Sequence, residues 1–142
     1  MDQREPRVVG QRGKSRLGLV VLCVYWVGIF IVSHIPKDHV PEGWDVSGVR
    51  LHAGAYFVLT LLVFANAGFF RQRGLGWKKT WLLVGLIGAY AGLDEFLQVF
   101  IPGRGGSVVD WAVDVAACLL CVGLLWVVRR LWLAGRRADR PS

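Results

Sequence analysis

Polar residues along this chain gather into short clusters separated by long apolar runs. Four runs stand out, at 17–35, 51–70, 80–101 and 108–128. Each is close to the roughly 20 residues a helix needs to cross a ~30 Å hydrocarbon core. The connections are short, so the predicted helices are antiparallel neighbours. The pattern predicts an all-α fold, a four-helix transmembrane bundle in one membrane domain spanning 17–133. A basic N-terminal segment, 1–16, and a basic tail, 134–142, flank it. No second domain, repeat or low-complexity segment interrupts it.

A secretory signal peptide would also place basic residues before an apolar run. The first run is too long for that, and Ser33-His34-Ile35-Pro36 offers no small-residue cleavage site. Val21 and Leu22 before Cys23 do not form a convincing lipobox either. The first run is therefore expected to be a retained helix.

Composition narrows the class further. The 142 residues are 54% hydrophobic and 19% charged, with a formal net charge of +7. Globular chains are about 25% charged. Nucleic-acid binding would account for the charge but not the hydrophobicity, and disorder for neither. The bases are also unevenly placed. Arg4, Arg7, Arg12, Lys14 and Arg16 precede the first run, and Lys37 and Arg50 follow it. Arg71, Arg73, Lys78 and Lys79 lie between the second and third runs, and Arg104 alone between the third and fourth. Arg129, Arg130, Arg136, Arg137 and Arg140 follow the fourth. The positive-inside rule then puts both termini in the cytoplasm, in a multi-pass cell-membrane protein. Attraction to anionic inner-leaflet lipids follows from the same charges.

The tryptophans fit that orientation. Trp77, Trp81, Trp126 and Trp132 fall near the inner boundary and Trp44 and Trp111 near the outer one, as in interfacial belts. Trp26 lies in mid-span and is expected to pack. Cys23, Cys118 and Cys121 fall within spans, where small apolar packing is the ordinary role, and no structural disulfide is expected.

Acids run opposite to bases. Asp38, Glu42, Asp45, Asp94, Glu95, Asp110 and Asp114, with His34, His39 and His52, belong to the outer side; only Asp2, Glu5 and Asp139 are cytoplasmic. Counting along ideal helices, Asp94 lies about 12 Å inward from Pro102 and Asp114 about 9 Å inward from Val108. Gln98 and Asp110 are shallower, at about 6 Å and about 3 Å. Asp94 with Gln98, Ser107 with Asp110 and Asp114, and His52 with Tyr56 each share a helix face. Charged groups inside a span normally face the bundle or a wet cavity. The expectation is an outward-opening acidic pocket lined by helices 2, 3 and 4. Its crowded carboxylates must be protonated, paired or metal-bound. Arg104, the nearest cation, is expected to pair with Glu95 or Asp110, or to hold an anionic ligand group through its fork.

Structural roles compete at several positions. Ser107 with Asp110 is also an S-x-x-D helix cap. Pro102, Gly103, Gly105 and Gly106 suit a turn. Gly85, Gly88 and Gly92 suit close helix approach. Asn66 suits helix–helix contact near the inner face, and His39 a solvated loop. A purely structural polar network also fits the acids.

These residues carry a family resemblance. Ser33-His34-Ile35-Pro36, then Arg50, His52 and Tyr56, then Asp94-Glu95-Phe96-Leu97-Gln98, Pro102-Gly103-Arg104 and Ser107-Val108-Val109-Asp110 resemble the VanZ-like family over roughly 26–125. The chain departs from that pattern at Val49, where an acid is usual, at Asp114, where Asn is usual, and at Ala117, where Gly is usual. The resemblance implies a multi-pass membrane protein, and its namesake is associated with resistance to teicoplanin, a lipid-bearing glycopeptide.

Three functions follow as expectations. The first is a cell-envelope role, binding or modifying an amphiphile such as a lipid-linked cell-wall intermediate or lipoglycopeptide. Asp94, Glu95, His52 and Asp110 are then the candidate catalytic groups, and Gln98, Arg104, Ser107, Tyr56, Asp114 and His34 the ligand-binding ones. The second is a metal-assisted enzyme using His52, Asp94, Glu95 and Asp110. No dense motif such as H-E-x-x-H appears, so no metal or other cofactor is expected. The third is a small transporter or proton relay. Expected partners are the lipid bilayer, the amphiphile and a second copy of the chain as a homo-oligomer; nucleic acid is not expected.

Overall fold

A computed structural model describes residues 9–36, 39, 49–71 and 74–138. Asp2, Arg4, Glu5, Arg7, Lys37, Asp38, Glu42, Trp44, Asp45, Arg73, Asp139 and Arg140 lie outside the described residues. Within them the chain is all-helical: α1 Val9–Ser33, α2 Val49–Asn66, α3 Trp77–Gln98 and α4 Val108–Ala138. Three helices are long and apolar enough to cross a membrane, over Arg16–Ser33, Trp77–Gln98 and Val108–Arg136. The apolar part of α2, Arg50–Asn66, is shorter.

The apolar runs and the helices do not coincide, for local reasons. The second run continues to Phe70, yet α2 stops at Asn66. Gly68 has φ 89°, its N–H bonds Ala65 O at 3.2 Å, and Phe69 N–H bonds Phe64 O at 3.0 Å. That is a Schellman ending, with Gly in the left-handed conformation. The accompanying apolar contact is present, the Phe64 and Phe69 rings lying 5.8 Å apart edge-on. Helix α3 starts at Trp77 after the extended Gly76 and ends three residues before its run does, ahead of Pro102. Helices α1 and α4 extend beyond their runs into basic sequence, because Arg and Lys are good helix formers.

Contacts at both ends define an up–down–up–down bundle. Ser33, closing α1, meets Asp94 of α3, and His52, opening α2, faces Asp114 of α4. At the opposite end Gly18 of α1 abuts Asn66 of α2, and Gly74 abuts Arg129 of α4. Helix α2 packs most closely on α4, α3 on α4, and α1 on α2; α3 touches α1 and α2 only lightly. The core lies along α2, α3 and α4, with Leu59, Phe64, Ile87, Ala91, Cys118 and Leu125 fully or nearly buried. Helix α1 stands at the margin, and Leu17, Val20, Val24, Val27 and Ile31 remain exposed along it. A surface this apolar suits lipid rather than water.

Aromatic rings and small residues fill the remaining contacts. Trp26 meets Tyr90 edge-on at 5.0 Å. Trp111 donates its indole N–H to Gly88 O at 3.0 Å and lies over Gly92. Gly88 and Gly92 thus provide the close α3–α4 approach, whereas Gly85 faces open space. All three cysteines are free.

Candidate functional site

The buried acidic and basic side chains among the described residues collect at one end of the bundle. Buried there are Ser33, His52, Asp94, Glu95, Gln98, Arg104 and Asp114. They come from all four helices and from the loop joining α3 to α4.

That loop is shaped by local chemistry. Arg104 N–H bonds Ile101 O at 3.0 Å across Pro102-Gly103, and Gly103 has φ 74°. Pro followed by a positive-φ Gly is the signature of a type II turn. The turn sends Arg104 back toward α1, where Nε donates to Ile35 O at 2.8 Å and NH2 to Val32 O at 3.3 Å. These are carbonyls at the C-terminal end of α1, where a cation also complements the helix dipole. The expected pairing of Arg104 with Glu95 or Asp110 is thereby corrected: two of its fork nitrogens serve backbone, and the third has no hydrogen-bond partner among the described residues. Burial pulls its guanidinium below the ordinary value, and nearby Asp94 and Glu95 act the other way.

Two clusters sit beneath the loop. In the first, Asp94 accepts from Ser33 Oγ at 3.0 Å and from Gln98 Nε2 at 3.1 Å. Hydrogen bonds to a charged group contribute about 1.5–3 kcal/mol each, which offsets part of the cost of burying the carboxylate. His34 Nδ1 lies 3.7 Å from Asp94 Oδ1 and 2.8 Å from Phe30 O, with its ring stacked on Phe30.

In the second cluster, Glu95 Oε2 accepts the Ser107 N–H at 2.8 Å. Ser107 Oγ in turn accepts the Asp110 N–H at 3.1 Å, so Ser107 is the N-cap of α4. The capping reading of S-x-x-D therefore holds for Ser107, but the acid that reaches its N–H is Glu95 of α3 rather than Asp110. Glu95 Oε1 points the other way, 3.6 Å from His52 Nδ1. Asp114 Oδ2 lies 3.4 Å from the same nitrogen. Asp114, not Asp94 or Asp110, is the acid that joins His52 and Glu95.

Beside these clusters a cleft of about 590 Å³ opens between α1 and α2. Val24, Gly28, Ile29, Val32, Leu51 and Ala55 form apolar walls; Tyr25, Ser33, His52, Tyr56 and Asp94 add polar groups. Tyr56 is buried and its hydroxyl has no hydrogen-bond partner among the described residues. His52, Glu95 and Asp114 come from α2, α3 and α4, and the cleft beside them adds α1. The cleft is walled by α1 and α2, α3 contributes Asp94, and no α4 residue lines it. The share of α1 is hard to read from the sequence, because its residues are mostly apolar. Tyr25, Gly28, Ile29, Val32 and Ser33 do recur at helical spacing, and Ser33 at the end of that stripe was the available signal.

Compared with known protein families, with curated proteins and with solved structures, the chain matches none.

Proposed function

We propose that this chain is a VanZ-like cell-envelope protein that binds an amphiphile in the α1–α2 cleft. The observation carrying this reading is the cleft itself: apolar walls continuous with a lipid-facing surface, and Ser33, His52, Tyr56 and Asp94 as its polar groups. An acyl or prenyl chain fits the former and a polar head group the latter. The motif resemblance from Ser33 to Asp110 supports the same class of ligand, a lipid-linked cell-wall intermediate or a lipoglycopeptide such as teicoplanin.

The orientation belongs to this proposal. With Arg71, Lys78, Lys79, Arg129 and Arg130 at the end opposite the site, and Arg50 and Arg104 at the site's end, the balance of bases makes α2 a fourth crossing, both termini cytoplasmic and the cleft open toward the outer leaflet. Asp94 fixes the head group with Ser33 and Gln98, and Arg104 holds the α1 wall in place. Transport or proton relay has no observation in its favour: among the described residues, His52, Asp94, Glu95 and Asp114 all lie toward one end.

The test is envelope composition in a strain lacking the chain, complemented by the wild type or by Asp94→Asn. Restoration by the wild type alone, in lipid-linked precursors or in sensitivity to lipoglycopeptides, is expected. Full restoration by Asp94→Asn would remove the polar end of the cleft from the function.

A further inference from the structure

His52, Glu95 and Asp114 come from three helices, and one donor atom from each lies within 4.8 Å of the others. All three residues are buried. His52 Nδ1 stands 3.4 Å from Asp114 Oδ2 and 3.6 Å from Glu95 Oε1. Direct N–H···O hydrogen bonds are most often about 2.9–3.0 Å long. Donors about 2.1 Å from a tetrahedral dication, by contrast, stand about 3.4 Å apart. His52 Nδ1 and Asp114 Oδ2 form a long hydrogen bond, and the same spacing accommodates ligands around an ion.

Two further observations point the same way. Glu95 Oε1 and Asp114 Oδ1 are buried with no hydrogen-bond partner among the described residues, although buried carboxylate oxygens normally have one. The nearby cation of the loop, Arg104, directs Nε and NH2 to α1 carbonyls. Meanwhile Ser107 N–H holds the other Glu95 oxygen, as outer hydrogen bonds orient metal-ligating carboxylates.

We propose that His52 Nδ1, one oxygen of Glu95 and one of Asp114 bind a divalent first-row transition cation of the zinc or manganese class. The imidazole nitrogen selects against magnesium and calcium, which prefer all-oxygen sites. Two carboxylates balance the charge of one dication. His52 also lines the cleft, so an anionic head group bound there supplies a further ligand. That last point rests on the amphiphile reading; the ion itself does not.

The full chain, purified in detergent without chelators, is assayed for bound metals. It is then stripped and titrated with Co²⁺, followed by visible absorption, with Zn²⁺, Mn²⁺, Mg²⁺ and Ca²⁺ as competitors. One equivalent of Co²⁺ per chain is expected, displaced by Zn²⁺ and not by Mg²⁺ or Ca²⁺. Glu95→Gln and Asp114→Asn should each weaken binding at least about ten-fold, and Asp110→Asn should not. If these variants do not fold, the wild-type Co²⁺ spectrum decides, since histidine–carboxylate coordination of low symmetry absorbs far more strongly than hydrated Co²⁺. Absence of Co²⁺ binding by the wild type overturns the proposal, as does equal weakening by Asp110→Asn. Displacement by Mg²⁺ or Ca²⁺ overturns it too. Amphiphile retention is measured in parallel on stripped protein, so loss of either function is seen separately.

Discussion

Glu95 faces two neighbours with its two carboxylate oxygens, one toward the α4 N-cap and one toward His52. This division makes single residues around it sensitive in different ways. Ser107→Ala removes the cap bond to Asp110 N–H and is expected to lower stability by about 1 kcal/mol in detergent unfolding. Gly106→Ala would set a methyl group against the Glu95 carbonyl and a Val99 methyl. Such overpacking costs about 1–3 kcal/mol, and a lower thermal midpoint with shifted Glu95 contacts is expected. Most residues of the site were legible in the sequence, because intramembrane acids at helical spacing are rare without a role. Their partners were less so. Arg104 bonds backbone carbonyls of α1, and carbonyls carry no side-chain signature to search for.

Among the elements, α1 depends most on a contact from outside itself. It stands at the edge of the bundle, and the Arg104 fork fastens its last turn to the α3–α4 loop. Lys cannot reproduce two fixed N–H directions. Arg104→Lys is therefore expected to raise amide exchange in residues 30–35 about ten-fold, equivalent to ~1.4 kcal/mol of local opening, while α2 and α4 stay protected. The number of helices followed from hydropathy, but their ends did not. Hydropathy reports what lipid tolerates, whereas Gly68 ends α2 through backbone conformation inside an apolar run. Basic residues leave the apolar run of α4 without ending its helix.

For the whole molecule, the proposed orientation rests on the separation of charge. Arg71, Lys78, Lys79, Arg129 and Arg130 lie at one end, and the buried acids Asp94, Glu95 and Asp114 toward the other. With Cys23, Cys118 and Cys121 replaced, Gly105→Cys should react with a membrane-impermeant thiol reagent in intact cells, and Gly76→Cys only after lysis. Reversed labelling would turn the cleft toward the cytoplasm. The cleft itself was only half legible in the sequence: its polar end was marked by acids, its apolar walls resembled any other span. Its occupancy is the central claim, and mass spectrometry of the intact chain released from detergent tests it most directly. One amphiphile per wild-type chain is expected, with loss in Ala55→Trp, which fills the apolar wall. Equal retention of lipid by the wild type and Ala55→Trp, or none by either, would contradict it.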